Sequence, residues 1–402
     1  MRAGNNKMTN SKRCYLINWV MLFFWLLPCS VSMAFWPTFH ANYQRNGQTQ
    51  ENGPLRPGIK WKFEGLLKYT SVVVGRDSIV YAAGTNTLYA IANGKEKWRY
   101  EYSGGFISIP AIDSNGTVYV VGVKEKAYLI ALYGDSGVVK WRAELGPYLL
   151  LDKHLPPIAV TSMARVYVAL GDSLSAFNAS GVKEWMYQFP PDLRNSTAPS
   201  LSPDEKTIYI YKKINGGLYA INHDGVLKWH DPSSYYSDFS SPAVAPDGTI
   251  YLLDRSGANL HAITPKGKKK WTVNFPDKYL GSSNVAIAKD GTIYADIANS
   301  SSAKGGAIHA INPKDGKIKW KFEIKDGYIG TTIAVDGRGN LYYAAGNGSI
   351  YCLKPDGSLI WEYAVGKEHQ FHSSSPAVSQ ETLYVPAAGK TGILFAIGTA
   401  SQ

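Results

Sequence analysis

Few residues of this sequence are arranged for chemistry. His369 and His372 could bind a metal, because imidazole is a common ligand, but no third ligand completes a recognisable motif, so we interpret them as ordinary loop residues. The run DGRGN (336–340) resembles a calcium loop only superficially, because it lacks the alternating carboxylates and the terminal glutamate. The sequence contains no nucleophile elbow, HExxH, phosphate-binding glycine loop or CxxC motif. We therefore predict no catalytic residue and no metal site.

Aromatic and basic side chains form a second group of candidates. They lie in the stretches that separate the repeats described below, and loops on a rigid scaffold are where binding sites concentrate. Protein interfaces are rich in such side chains, so we predict a contact surface formed by Tyr148, Arg194, Tyr235, Tyr236, Phe239, Tyr279, Tyr328 and Phe371. The alternative is that these rings pack between neighbouring structural units, and the sequence leaves both interpretations open.

A repeated sequence provides the scaffold for these candidates. The phrase SSPAVAPDGTIY (240–251) returns 134 residues later as SSPAVSQETLYV (374–385), which is about three periods of ~44 residues. Three signatures recur eight times in fixed order: an aliphatic-Tyr-aliphatic triplet, a quartet similar to LYAI, and a tryptophan after a turn. The tryptophans are Trp61, Trp98, Trp141, Trp185, Trp229, Trp271, Trp320 and Trp361.

A repeat of this length, built from short Val, Ile, Tyr and Thr runs, is typical of a four-stranded propeller blade. SPAVA predicts an inner strand A, TIYLL a strand B, LHAI a strand C, and the tryptophan marks an outer strand D. Asp-Gly and Pro-x-Gly pairs lie where the hairpin turns are needed. The sequence thus predicts an all-β, eight-bladed β-propeller of four-stranded antiparallel blades, with each tryptophan between adjacent blades and its N–H on a polar partner.

The two ends of the chain predict how the ring closes. The last repeat supplies strands A, B and C without a tryptophan strand, whereas GIKWKF (58–63) is a D strand that lacks the other three. We therefore predict that the N-terminal strand completes the last blade, so that no sheet edge is left open. The predicted divisions are a signal peptide (1–34), a lead-in segment (35–57) and the propeller (58–402).

The signal peptide is predicted from the composition of the first 34 residues. Basic residues precede an apolar run from Cys14 to Leu27, and Ser32 and Ala34 are the small residues that a signal peptidase needs. The apolar run is shorter than the ~20 residues that span a bilayer. We expect a periplasmic or extracellular protein, cleaved near Ala34, with no transmembrane span in the mature chain. A lipid-modified Cys29 is the weaker alternative.

Composition and charge exclude two further classes of protein, disordered proteins and nucleic-acid-binding proteins. The chain is 45% hydrophobic and 18% charged, too apolar for a disordered protein. Its net charge is +11, four of the positive charges lie in residues 1–34, and the longest basic run, KGKKK (266–270), is interpreted as a solvated turn. We therefore expect no nucleic-acid partner. Only Cys352 lies outside the predicted signal peptide, so the core must stabilise the mature protein without an internal disulfide.

The repeats resemble the PQQ-like (quinoprotein-type) β-propeller family. The stretch GTIYADIANSSSAKGGAIHAINPKDGKIKWKFEI (291–324) is similar to its blade pattern, and WPTFHANYQRNGQ (36–48) is similar to its start, with Trp36, Phe39, Arg45 and Gly47 matching. The resemblance covers essentially the whole mature chain. It implies a propeller, and it implies either a non-enzymatic, BamB-like protein or a dehydrogenase that uses pyrroloquinoline quinone (PQQ) and calcium.

Between these two functions, the sequence favours the first. The dehydrogenases of the family are usually much longer, and many contain a pair of adjacent cysteines that this chain lacks. We expect a monomeric scaffold without a cofactor that binds a partner protein or an envelope polymer through one axial face. Binding of carbohydrate through the aromatic rim cannot be separated from this hypothesis by sequence.

Overall fold

The structure is a computed structural model. It describes residues 36–65, 71–106, 108–147, 158–191, 196–212, 216–233, 240–254, 259–275, 278–280, 284–299, 305–325, 330–369, 371, 374–387 and 392–399. The predicted signal peptide (1–34) lies outside the described residues. Within them we find no helix with the length and apolar character needed to cross a bilayer.

The described residues form eight antiparallel sheets, each with the four strands A to D that the repeats predict. Blade 1 contains β2 (Val72–Val74), β3 (Val80–Ala83), β4 (Thr87–Ala92) and β5 (Lys95–Glu101). Blade 2 contains β7 (Ala111–Ile112), β8 (Thr117–Val123), β9 (Lys126–Tyr133) and β10 (Val139–Pro147), with an added strand β6 (Gly105–Phe106). Blade 3 contains β11 (Ala159–Val160), β12 (Val166–Leu170), β13 (Ser173–Phe177) and β14 (Lys183–Gln188).

The next four blades repeat this order. Blade 4 contains β15 (Ser200–Leu201), β16 (Thr207–Lys212), β17 (Gly217–Asn222) and β18 (Leu227–Asp231), and blade 5 contains β19 (Ala243–Val244), β20 (Ile250–Asp254), β21 (Asn259–Ile263) and β22 (Lys269–Asn274). Blade 6 contains β24 (Ala286–Ile287), β25 (Ile293–Asn299), β26 (Gly306–Ile311) and β27 (Ile318–Ile324), with an added strand β23 (Lys278–Leu280). Blade 7 contains β28 (Ala334–Val335), β29 (Leu341–Ala344), β30 (Ser349–Leu353) and β31 (Leu359–Ala364).

The last blade joins the two ends of the chain. It contains β32 (Ala377–Ser379), β33 (Thr382–Ala387), β34 (Ile393–Ile397) and, as its outer strand, β1 (Ile59–Glu64). Strand β1 pairs antiparallel with β34, from Ile59 opposite Ile397 to Glu64 opposite Ile393. The predicted eight-bladed propeller and its closure by the N-terminal strand are therefore confirmed.

Burial differs between the inner and outer strands of a blade. Strands A and B are buried, as in strand A of blade 1 (β2) and strand B of blade 2 (β8), because each of their faces packs against a neighbouring blade. The outer strand β1 alternates partly buried and exposed residues, the pattern of a strand with one face on the core. Inner strands of neighbouring blades also contact each other around the axis, as β15 does β19.

We expect that removal of residues 35–64 destabilises the protein, because the deletion leaves β34 as an unpaired edge in blade 8. The melting temperature should fall by on the order of 10 °C or more, or the protein should aggregate. The control is a chain that begins at residue 35. An unchanged melting temperature in the shorter chain would show that closure by β1 is dispensable.

Candidate functional site

The blade tryptophans join each blade to the next. The indole N–H of Trp98 in blade 1 donates to the carbonyl of Gly134 in the C–D turn of blade 2, at 2.9 Å. The same contact recurs around the ring for Trp141, Trp185, Trp229, Trp271 and Trp320, each at 2.9 Å. In blade 7, Trp361 donates at 3.0 Å to Pro54 of the lead-in segment instead. The lead-in segment thus replaces the C–D turn that blade 8 does not have.

The turn that receives each tryptophan requires glycine for two reasons. Gly137 adopts a φ of +72°, a conformation that other residues rarely adopt. A Cβ atom at this position would lie 2.6 Å from the ring of Trp98. Gly181 has the same relation to Trp141. The glycine of the turn and the tryptophan of the preceding blade therefore form one contact unit, which explains why both recur with the same period.

The lead-in segment lies at the axis of the propeller. Its main chain accepts hydrogen bonds from inner-strand amides or A–B turns of seven blades: Val74 to Trp36, Ile112 to Pro37, Leu201 to Tyr43, Val244 to Gln44, Ile287 to Asn46, Val335 to Gly47, and Glu381 to Asn52. These donors are the inner-strand residues next to the A–B turns, or belong to the turn itself. A segment this short that contacts so many inner strands must lie inside the ring, at the A–B end of the axis.

Arg45 connects the lead-in segment to the remaining blade. Its Nη2 donates to the carbonyl of Ile158 in blade 3 at 3.2 Å, and its Nε donates to Pro199 in blade 4 at 2.8 Å. Its Nη1 donates to the carbonyl of Phe39 at 2.9 Å. The side chain is fully buried, and this burial lowers its pKa to about 9. Because its hydrogen-bond partners among the described residues are carbonyl and hydroxyl oxygens, this buried cation binds main-chain carbonyls rather than a carboxylate.

His40 has a similar role on the other side of the segment. Its Nδ1 lies 2.7 Å from the carbonyl of Arg45 and its Nε2 lies 3.2 Å from that of Ile333. Full burial lowers its pKa to about 4, so the ring is neutral at physiological pH. A neutral ring carries one N–H, so it donates to one of these two carbonyls, and its other nitrogen faces the second carbonyl without a proton to share.

At the other end of the inner strands, small polar side chains link neighbouring blades. The amide of Ala198 donates to Ser241 Oγ at 3.0 Å, and the amide of Ser241 donates to Asn284 Oδ1 at 2.8 Å. The amide of Ser375 likewise donates to Ser71 Oγ at 2.8 Å. The recurring SSPAV phrase is explained by this contact, since its second serine bridges one blade to the next. The side chain of Asn284 is fully buried, and its Nδ2 has no hydrogen-bond partner among the residues that the structure describes.

The structure describes two residues of the predicted contact surface, Tyr279 and Phe371. Tyr148, Arg194, Tyr235, Tyr236, Phe239 and Tyr328 lie outside the described residues. The backbone of Tyr279 lies in β23, which pairs with β25, and its side chain is not described. Phe371 is fully buried, and its ring centroid lies 6.3 Å from that of Phe395. The prediction that Phe371 contacts a partner is therefore wrong, because the ring packs between strands of the core.

Among the described residues, Lys212 and Asp296 are buried charged groups on B strands that sequence analysis missed. Lys212 of β16 is fully buried, and its Nζ donates at 2.8 Å to the Gly171 carbonyl in the neighbouring blade. Asp296 of β25 is 4% exposed. Its Oδ2 accepts from the Tyr343 hydroxyl of blade 7 at 3.3 Å, while its Oδ1 has no hydrogen-bond partner within the described part of the chain. Burial raises the pKa of Asp296 to about 7. The sequence feature that could have identified both residues is a charged side chain within an otherwise apolar B strand.

A cleft of about 390 Å³ opens on the A–B side between blades 1 and 2. Asp113 lies in this cleft and is fully used by the fold, because it accepts from the amides of Asn115 and Thr117 and from the Tyr119 hydroxyl. Lys140 lies 4.5 Å from the ring centroid of Tyr133. The polar groups of the cleft therefore largely serve turns and packing.

The described residues do not fit PQQ and calcium at the axis. Calcium takes carboxylate and carbonyl oxygens, with several ligands converging on one point. The described side chains that link the inner strands are serine, threonine and asparagine, and the buried carboxylate of Asp296 faces blade 7 instead. Among the described residues, we find no group of three or more His, Cys, Asp or Glu side chains positioned for a metal.

Comparison with known proteins gives the family. The family model described as outer membrane protein assembly factor BamB matches residues 58–151, 151–295 and 304–402. The chain belongs to this family. The resemblance inferred from the repeats is thereby confirmed. Among curated proteins, the comparison finds no match.

Solved structures resemble this BamB-family propeller in fold. BamB from Moraxella catarrhalis is 16% identical with a TM-score of 0.66, covering 85% of this chain and 100% of that chain. A europium-containing methanol dehydrogenase is 12% identical with a TM-score of 0.72, covering 92% and 98%. The quinohemoprotein alcohol dehydrogenase from Comamonas testosteroni is 14% identical with a TM-score of 0.69, covering 92% and 81%. At these identities the likeness shows the fold alone.

Replacement of Arg45 tests the axial role of the lead-in segment. We expect Arg45→Met to lower the free energy of unfolding by about 3–5 kcal/mol, because several buried carbonyls lose their donor. Arg56→Met is the matched control, since Arg56 is an exposed arginine of the same segment, and it should change stability by less than about 0.5 kcal/mol. Urea unfolding measures both. Equal effects of the two substitutions would contradict the structural role of Arg45.

Asp296 should make the stability of this BamB-family protein depend on pH. Its folded-state pKa of about 7 lies above the ordinary value of 3.8, so the folded protein holds the proton more tightly than the unfolded chain does. This contribution is complete below pH 3.8 and is lost as the pH rises through 7. We expect Asp296→Asn to reduce the loss of unfolding free energy between pH 5 and pH 8 by on the order of a few kcal/mol.

The control for this measurement is Asp135→Asn, which replaces an exposed aspartate in a C–D turn. It should leave the pH dependence as in the unsubstituted protein. Urea titrations at both pH values give the comparison. If Asp296→Asn keeps the full loss of stability between pH 5 and pH 8, the carboxyl ionises without cost to the fold.

Proposed function

We propose that this protein is an exported, non-catalytic scaffold that binds a partner protein or an envelope polymer through the face formed by its D–A connections. The observation that carries the proposal is the lead-in segment at the axis. Residues 36–52 fill the A–B end of the ring by hydrogen bonds to the inner strands. Since the protein's own chain occupies that end, the opposite axial face is the one available to bind a partner.

The lengths of the connections support this choice of face. The A–B turns of blades 5 and 6, residues 245–249 and 288–292, have five residues each. The D–A connections that enter blades 3 and 5, residues 148–158 and 232–242, have eleven. Long connections on a rigid frame are where binding residues concentrate. The predicted contact residues Tyr148 and Tyr236 lie in these two connections, and their sequence is rich in side chains that interfaces use.

The family match supports a role in the cell envelope. The matching family is described by an outer membrane assembly factor, and the sequence predicts export through cleavage after Ala34. We propose that the exported protein begins at Phe35, which N-terminal sequencing tests. The quinoprotein dehydrogenases share the fold, but the described axial residues do not fit their cofactor, so the scaffold is the better supported function.

Partner capture tests the proposed face. We expect Tyr148→Ser with Tyr236→Ser to lower the yield of crosslinked envelope partners at least about tenfold, as loss of two interface anchors does. Tyr133→Ser is the matched control, because Tyr133 is a half-exposed tyrosine before a C–D turn. Both variants should melt like the unsubstituted protein. A double variant that folds and captures the same partners would show that the contact surface lies elsewhere.

A second measurement separates the scaffold from the dehydrogenase. PQQ and calcium are added to the purified protein, and quinone absorbance and dye-linked oxidation of alcohols and sugars are followed. We expect neither stoichiometric binding nor turnover. Stoichiometric binding with turnover would establish the dehydrogenase instead.

A further inference from the structure

One turn position is equivalent in seven blades and can be compared among them. It is the residue that follows the turn glycine beneath each tryptophan, three residues before the next tryptophan. In chain order it is Lys95, Val138, Val182, Val226, Lys268, Lys317 and Ser358. All seven residues are exposed. Because lysine and serine serve equally well here, the fold does not require an apolar side chain at this position.

The valines occupy three consecutive blades. Val138, Val182 and Val226 are 59%, 59% and 61% exposed. Since blades 2, 3 and 4 are neighbours in the ring, the three side chains form an arc on the A–B and C–D face. Met163, in the A–B turn of blade 3, is 87% exposed and lies on the same face. Single exposed apolar residues are normal, but a repeated run on one face indicates a contact surface.

Lysines flank this valine arc on both sides. Lys95 precedes it in blade 1, and Lys268 and Lys317 follow it in blades 5 and 6. Exposed Lys266 and Lys314 lie in the same turns as the last two. Asp135 and Asp224 lie in the turns of the arc itself, and in blade 6 Asp315 lies 3.6 Å from Lys317. The attraction for an anionic surface therefore comes mainly from Lys95, Lys266, Lys268 and Lys314 of the flanking blades. Apolar tips beside lysines are the combination that binds an anionic membrane surface.

We propose that the valine arc and its flanking lysines form a docking surface for an anionic phospholipid bilayer. The valines project singly from separate turns, so each can enter between lipid head groups without a preformed groove. The lysines complement the phosphates of the head groups. The surface lies on the face opposite the D–A connections, which leaves those connections directed away from the membrane and accessible to a partner.

The direct test is flotation of the exported protein with vesicles of phosphatidylcholine alone or mixed with phosphatidylglycerol. The unsubstituted protein should bind the mixed vesicles, with weaker binding at high salt because ionic attraction is screened. The variant Val138→Ser, Val182→Ser, Val226→Ser should bind at least about tenfold more weakly. Serine already occupies the equivalent position in blade 7, so the variant is expected to fold, and its melting temperature verifies this.

A local probe excludes binding through other parts of the chain. Val182→Cys is labelled with a dye whose emission reports an apolar environment, and Met186→Cys, on the outer strand of the same blade, is the matched control. Cys352 is buried, and unsubstituted protein taken through the same labelling gives the background. The dye at position 182 should shift its emission on mixed vesicles, and the dye at position 186 should not.

Three results would overturn the proposal. The first is no binding of the unsubstituted protein to either vesicle. The second is equal binding of the serine variant and the unsubstituted protein to mixed vesicles. The third is loss of a protein partner in the serine variant while vesicles are ignored, which would make the arc a protein-docking surface. Failure of the tyrosine variants in partner capture is a separate outcome, because those residues lie in other connections.

Discussion

The position of the lead-in segment inside the ring is the constraint on which the rest of the structure depends. Eight inner strands as short as two residues cannot satisfy all of their own main-chain groups. Residues 36–52 supply the missing acceptors from within, and Arg45 supplies donors to carbonyls of blades 3 and 4. A buried guanidinium without a carboxylate is costly unless its donors are all used. In this protein the hydrogen bonds of the Arg45 guanidinium fix one position of the lead-in segment relative to blades 3 and 4.

On the outer side of the blades, the tryptophan contacts also fix the position of each blade relative to the next. The indoles of blades 1 to 6 each donate to the C–D turn of the next blade, so each of these blades can pack against its neighbour in only one orientation. The two systems meet at Pro54, which accepts the indole N–H of Trp361. The same short stretch of chain therefore fills the axis, replaces a missing turn and leads directly into β1. One continuous segment therefore both fills the axis and closes the ring.

The sequence predicted the parts of this fold that repeat. Eight tryptophans at a regular period, each after a turn glycine, determine blade number, strand order and closure, because one contact unit is used again and again. Arg45 and Gly47 could be recognised only as a resemblance, since no periodicity says that a single segment lies at the axis. Phe371 was misplaced for a related reason. An aromatic residue in a connection has the same composition whether it faces a partner or fills an interblade gap.

Asp296 is a residue that the repeat pattern could not predict. Repeat alignment alone would predict an uncharged residue here, because the position two residues after the B-strand tyrosine holds no charged residue in the other blades. These residues are Ala83, Val121, Ala169, Tyr211, Leu253, Ala344 and Pro386. Periodicity predicts what blades share, and a departure from it is where chemistry particular to this protein is found. The turn position of the valine arc follows the same logic, since valine in blades 2 to 4 departs from lysine and serine without any demand from packing. In a repeat protein, the fold is read from agreement among repeats, and candidates for function are read from positions where exposed or buried residues depart from it.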